Sequence, residues 1–268
     1  MSAEARMPVV FLPHGGGPWP FVDLGLDEAE LRSLASYLES LSSLPKAKPR
    51  AVLAVSAHWE EAVPTVMTGE RPPLFYDYYG FPERAYQLTW PAPGAPDVAA
   101  RARDLLGTAG FETAEDAARG FDHGTFVPLK LTFPSAEIPT LQLSLKKGLS
   151  PGEHLAMGRA LAPLRDEGVL IVASGMSYHN MRSFLRGGDR AGAQRFDDWL
   201  VETMGLSGAE RAARLTAWAQ APSAREAHPR EEHLIPLMVA AGAGEESPAM
   251  HAFNGTMMGF RLSAFHFS

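Results

Sequence analysis

Three apolar, strand-like runs in the chain each lead to a histidine, and no other pattern in it speaks so directly of chemistry. Val9-Val10-Phe11-Leu12-Pro13 runs into His14, Ala51 through Ala57 runs into His58, and Val169 through Ser174 breaks at Gly175 and reaches His179. In an open α/β sheet, ligands gather just beyond the carboxyl ends of parallel strands. Imidazole suits zinc, copper, iron and nickel, so three imidazoles delivered to one sheet edge point to a metal site. The chain has no cysteine, which excludes disulfides and thiolate sites and leaves His, Asp and Glu as ligands.

Other histidines sit in equally suggestive settings. His123 lies in Gly120-Phe121-Asp122-His123-Gly124-Thr125, ahead of an apolar run from Phe126 to Phe133 that reads as a helix. Asp122 or Thr125 would cap that helix, and His123 fits a structural role there as well as an active-site one. His228 and His233 stand about 140° apart at ~100° per residue, so they do not share a helix face. Pro229 also disfavours helical backbone at His228; His233 is the one expected to enter a common site. His154, His251 and His266 carry no motif and are expected to be structural. The loop Pro13-His14-Gly15-Gly16-Gly17-Pro18 lacks the Lys-Ser/Thr of a P-loop and the GxGxxG spacing, so a phosphate cradle is a weak reading of it.

These residues need a scaffold, and the hydrophobic pattern supplies one. Strands are expected near 8–13, 50–57, 62–68, 138–145, 168–174, 249–254 and 258–265. Between them, 27–44 places Leu31, Leu34, Leu38 and Leu41 at helical spacing, with Asp27, Glu28 and Glu30 at the positive end of the dipole. Further helices are expected over 96–106, 150–165, 189–204 and 209–219, and one over 229–241 opened by Pro229. This interleaving predicts an α/β fold: a single domain over residues 1–268, with a central, mostly parallel sheet flanked by helices. The last two strands are expected to form an antiparallel C-terminal hairpin joined at Asn254-Gly255. Residues 69–95 break the alternation with five prolines among Phe75, Tyr76, Tyr78, Tyr79, Phe81, Tyr86 and Trp90. So long a loop is either a wall of a binding site or an insertion packed on the core.

Composition narrows the class further. Hydrophobic residues make up 46% and charged residues 21% of 268, which is ordinary for a globular chain long enough to bury a substantial core. A formal net charge of −7 argues against a nucleic-acid or anionic-membrane partner. No apolar run approaches the ~18 residues of a membrane span, and the stretch from Met1 to Met7 is too short and polar for a signal peptide. A soluble, cytoplasmic protein is expected.

Five of these pieces together resemble the class III (LigB-type) extradiol ring-cleavage dioxygenases, most closely the DOPA 4,5-dioxygenase-like branch. They are Pro13-His14-Gly15-Gly16-Gly17-Pro18, Ser56-Ala57-His58-Trp59, Asp122-His123-Gly124-Thr125, Ser174-Gly175-Met176-Ser177-Tyr178-His179-Asn180 and His228-Pro229-Arg230-Glu231-Glu232-His233-Leu234-Ile235-Pro236-Leu237. They occur in the family's order and span nearly the whole chain. The resemblance implies a non-haem metal at the strand ends and insertion of both atoms of O2 into a single-ring catechol, giving a ring-opened semialdehyde. His14 and His58 match two metal ligands. In protocatechuate-cleaving relatives a glutamate completes the set. Here the matching segment offers Glu231, Glu232 and His233, and the DOPA-dioxygenase-like members use the histidine.

His179 matches the acid/base histidine beside the metal, close enough to serve also as a fourth ligand. His123 matches a second active-site histidine that hydrogen-bonds substrate or an oxygen intermediate. Fe(II) is the metal expected for activity, while an all-histidine set also suits Zn(II) in the isolated protein. A zinc hydrolase on the same imidazoles is the alternative function. Tyr178 and Arg230 are candidates to meet a substrate carboxylate, and the sequence is compatible with an oligomer such as a dimer.

Overall fold

The computed structural model describes residues 6–268. Its strands are β1 (Val9–Pro13), β2 (Ala51–Glu61), β3 (Thr65–Met67), β4 (Ala114–Asp116), β5 (Thr140–Lys146), β6 (Val169–Gly175), β7 (Ala249–Met257) and β8 (Phe260–Phe267). Its helices are α1 (Glu28–Ser40), α2 (Pro96–Thr108), α3 (His123–Thr132), α4 (Pro151–Leu161), α5 (Met181–Arg186), α6 (Arg190–Met204), α7 (Gly208–Thr216), α8 (Ala224–Ala227) and α9 (Ile235–Ala243). All the strands join one sheet in the order β4-β3-β5-β2-β6-β1-β8-β7.

The centre of that sheet, β5-β2-β6-β1, is parallel throughout, so its carboxyl ends share one edge. β1 and β6 are buried along their whole length. That is the pattern of strands covered on both faces, and it explains their unbroken apolar runs. The expected α/β architecture is therefore present, with the antiparallel β7–β8 hairpin added beside β1. Among the described residues no helix is long and apolar enough to cross a membrane.

Several local expectations are corrected. The hairpin turns at Met258-Gly259, where φ is +53 and +78, the pair of positive values a two-residue type I′ turn requires. Asn254 and Gly255 instead lie within β7, opposite Ser263 and Leu262. The helix expected from Pro229 begins only at Ile235, with Pro236 in its first turn. Its start is delayed because the His233 carbonyl accepts from the Met176 N–H at 2.9 Å. α4 stops at Leu161 and gives way to a 3-10 turn carrying Pro163. β2 runs on past His58 to Glu61, while β3 is shorter than expected. Three short elements, β4, α5 and α8, were not foreseen; each is too brief to carry a period.

Two arginines pin the far end of α9. Arg165, fully buried, donates to the carbonyls of Met7, Ala243 and Phe267. Arg211, equally buried, donates to those of Gly244, Glu245 and Ser247. Cations on the last carbonyls of a helix suit its negative end. Because α9 starts just after His233, fixing its end helps to fix its beginning.

Two histidines outside the sheet edge make stability depend on pH. Burial holds His266, bonded to the Tyr37 hydroxyl at 2.9 Å, down at about 4. Burial likewise holds His228, whose Nε2 donates to the Ser177 carbonyl at 2.9 Å, down at about 3. An unfolded histidine titrates near ~6.5, so as pH falls the unfolded chain binds protons first. The associated stability is complete above that value and is lost progressively toward pH 4. Each histidine should cost about 1.4 kcal/mol per pH unit across that window. Replacing His266 by Leu should therefore flatten the slope of stability between roughly pH 6 and 5 by about that amount, read from urea denaturation. An unchanged slope would contradict the assignment.

Candidate metal centre

His14 follows β1 directly, and its backbone N–H continues the ladder by donating to the Gly175 carbonyl at 3.1 Å. Its ring Nδ1 lies 2.8 Å from the Gly15 carbonyl. A carbonyl can only accept, so Nδ1 carries the proton and Nε2 keeps its lone pair. The Trp19 indole holds the same loop by donating to the His14 carbonyl at 2.6 Å.

His58 is placed by an irregularity. β2 pairs regularly with β5 up to Val55 and resumes only at Glu60. Its ladder with β6 ends at Ser56. The unpaired stretch re-aims His58 over the sheet edge, as bulges do beside functional sites. Its Nε2 lies 3.3 Å from Nε2 of His14.

His123 is the first residue of α3. The helix is capped by Asp122, which accepts from the Thr125 N–H at 3.1 Å. Asp122 is fully buried and also receives Ser56 Oγ at 2.7 Å, Gln142 Nε2 at 2.8 Å and Arg119 Nη2 at 2.9 Å. Those contacts lock the start of α3 onto β2 and β5. His233 comes from the turn before α9, and its carbonyl sits where only a residue without a Cβ can pass. A Cβ built on Gly175 would lie 2.2 Å from that oxygen. His179, four residues past β6, is tied by its N–H to the Ala227 carbonyl at 3.0 Å.

The five expected histidines thus meet at one edge. Ring centroids of His14, His58 and His233 form a nearly equilateral triangle with sides of 4.9, 4.9 and 5.2 Å. His123 lies 4.0 Å from His58 and 5.2 Å from His14. His179 stacks on His233 at 3.4 Å and 17°. By ligand-atom proximity the groups fall into two sets, His14 with His58 and His123, and His179 with Glu232 and His233. The triangle takes two members from the first and one from the second.

Two carboxylates flank the cluster. Glu232 Oε1 accepts from His233 Nδ1 at 2.9 Å and lies 3.5 Å from His179 Nδ1. Asp77 Oδ1 accepts from His123 Nδ1 at 2.8 Å, and Oδ2 lies 3.6 Å from His58 Nδ1. Glu232 therefore faces the outer nitrogen of His233 and stands behind it. Asp77 was missed by sequence reasoning. It is one acid in an irregular aromatic segment, and no periodicity relates it to His123, far along the chain.

The electrostatics favour neutral rings. Burial first, and then the neighbouring imidazoles, hold His14 and His233 well below the usual histidine range. His58 is lowered in the same way, against the opposing pull of Asp77. Burial is the largest influence on Asp77 and Glu232 and works against ionising them, but the surrounding donors and charges together outweigh it, His123 with His58 at Asp77 and His179 with Arg230 at Glu232, and keep both below the usual carboxylate range. Neutral imidazoles have no proton to lose on binding a cation. Two nitrogens sharing a tetrahedral ion at ~2.1 Å would sit about 3.4 Å apart, close to the spacing found between His14 and His58. Nε2 of His233 is buried and has no partner. The donor set fits a metal.

The remaining candidates lie elsewhere. His228 packs against Phe196 and Trp218. His154 bridges the Ser150 carbonyl and the Lys146 N–H, and His251 meets Ser263 on the hairpin. Tyr178 is buried in a stack with Phe260 at 4.8 Å, so it is a packing residue and offers nothing to a substrate carboxylate. Arg230 is engaged by Glu60 at 2.6 Å and Glu232 at 3.4 Å. Within 69–95, Tyr78 faces His123 at 6.0 Å and packs on Phe81 and Tyr86, so this segment does wall one side of the cluster.

The family model for the catalytic LigB subunit of aromatic ring-opening dioxygenase matches residues 8–262. The chain is 40% identical to a 4,5-DOPA dioxygenase extradiol of Beta vulgaris, over 89% of this chain and 88% of that protein. It is 33% identical to a protein of the same name from Escherichia coli strain K12, over 97% and 93%. It is 35% identical to dioxygenase tasH of Hapsidospora irregularis, over 98% and 87%. A crystal structure of an uncharacterized Escherichia coli K12 protein superposes with a TM-score of 0.79 at 30% identity, covering 98% of this chain and all of that one.

The close approach at Gly175 yields a direct test. Gly175→Ala should push the His233 backbone away and lower stability by about 1–3 kcal/mol, the usual cost of overpacking, as read from urea denaturation of the metal-free chain. Unaltered stability would show that His233 is not held there.

Proposed function

Because the chain belongs to the LigB family of aromatic ring-opening dioxygenases and is an extradiol dioxygenase, we propose that residues 1–268 act as one catalytic domain that inserts both atoms of O2 into a single-ring, DOPA-like catechol, giving a ring-opened semialdehyde. The triangle of His14, His58 and His233, with the partnerless Nε2 of His233, carries the proposal. These three would hold the metal, with Fe(II) for activity and Zn(II) also suited to an all-nitrogen set. Bound Fe(II) would supply adjacent positions for catecholate and O2 and a path for electrons between them.

The protein's own part is orientation and proton movement. His179 has Glu232 beside its Nδ1 at 3.5 Å, which leaves Nε2 to take a catechol proton and return one later. Its stacked placement on His233 supports that role over service as a fourth ligand. His123, with Nδ1 bonded to Asp77, would present Nε2 to the substrate. Tyr78 and its aromatic neighbours would line the side on which a flat ring lies. The relatives named 4,5-DOPA dioxygenase extradiol support a catechol of this kind.

Anaerobic loading with Fe(II), followed by air and a panel of catechols including DOPA, should give equimolar O2 uptake and a yellow ring-opened product. His179→Ala should retain the metal yet lower kcat by about 10²-fold or more. His14→Ala, His58→Ala and His233→Ala should each lose stoichiometric metal. Absence of O2 uptake with every catechol would sink the proposal, and zinc-dependent hydrolysis in its place would favour the hydrolase.

A further inference from the structure

We propose that Asp77 is a positioning residue that sets, through its two carboxylate oxygens, the tautomer and orientation of both His58 and His123. This rests on the site assigned above, in which one of those rings is a metal ligand and the other faces the substrate. Asp77 Oδ1 accepts from the backbone N–H of His123 at 2.9 Å and from its ring Nδ1 at 2.8 Å. Oδ2 lies 3.6 Å from Nδ1 of His58. The two rings stand 4.0 Å apart, flanking a single carboxylate.

A carboxylate only accepts, so the hydrogen bond to His123 puts the proton on its Nδ1 and leaves the lone pair on Nε2. Oδ2 stands 3.6 Å from Nδ1 of His58, beyond hydrogen-bond reach, and its negative charge favours the same tautomer there. For His58 that Nε2 is the atom 3.3 Å from Nε2 of His14. One side chain thereby prepares both a ligand and an acceptor. Metal-binding imidazoles usually have such an outer partner, and it sets their basicity as well as their aim. His14 has the Gly15 carbonyl and His233 has Glu232; for His58 the partner is Asp77.

The fold builds this position deliberately. Phe75 N–H donates to the Phe121 carbonyl at 2.8 Å, joining the segment to the chain just before His123. Tyr76 and Tyr78 anchor it on either side by donating to the carbonyls of Leu88 and Ala85 at 2.7 and 2.6 Å. The aromatic, proline-rich segment is therefore more than a wall. It delivers the carboxylate.

Asp77→Asn preserves shape but leaves only one oxygen to accept. In the zinc-loaded protein, chelator competition should show binding weakened about 10–100-fold, with circular dichroism confirming the fold. In the iron enzyme kcat should fall more than KM rises. In 15N-resolved spectra of the zinc-loaded wild type, His58 and His123 should both show a proton on Nδ1, and both signals should shift or vanish in the variant. Zinc affinity kept within about threefold, together with unchanged ring signals, would overturn the proposal. So would an Nε2–H tautomer at either ring of the wild type, a measurement that does not depend on the variant folding. The underlying function is judged separately, by ring cleavage in the wild-type iron enzyme.

Discussion

Everything at the sheet edge depends on keeping a set of imidazoles uncharged, with one nitrogen of each turned inward, where water scarcely reaches. Burial and mutual repulsion hold His14, His58 and His233 in the neutral form, but neutrality alone does not choose which nitrogen faces in. That choice falls to the outer partners. A backbone carbonyl serves His14, Glu232 serves His233, and Asp77 lies against His58 and His123. With those acceptors outside, the inward nitrogens present lone pairs to one another, an arrangement that a cation satisfies and that an empty apolar pocket would penalise.

The scaffold meets that demand with elements of different kinds. Parallel strands bring His14 and the segment carrying His179 to one edge. An interruption in the β2 ladder turns His58 across it. Helix α3, capped and gripped by the buried Asp122, brings His123 from one side. The turn before α9 brings His233 from the other and is seated against Gly175. Arg230 closes the ring by linking Glu60 on β2 to Glu232. A shift in any of these pieces would move an imidazole out of a cluster in which the ring centroids of His14, His58 and His233 lie 4.9–5.2 Å apart.

The errors in reading the sequence share a physical origin. Pro229 and Pro236 both suit a first helical turn, but only the latter begins one, because the His233 carbonyl is taken by a long-range bond to Met176. Asn254-Gly255 is a good turn by residue type. The hairpin nevertheless turns at Met258-Gly259, because β7 pairs with β8 as far as Met257 opposite Phe260. Asp77 carries no local signal. Tyr178 sits beside His179 in the chain and yet faces the hydrophobic interior.

By itself the sequence determined the α/β class, the parallel core strands and the three histidines, His14, His58 and His179, that follow them. Those properties are written in apolar periodicity and in residue type, which act over a few neighbouring positions, whereas His123 and His233 took their roles in the set from family resemblance. Only the tertiary structure decided that Glu232 stands behind His233, that Asp77 reaches two rings from a distant segment, and that His228 stays in the core. Those outcomes turn on angles and contacts between segments far apart in the chain, where a shift of one hydrogen bond decides which atom faces the site.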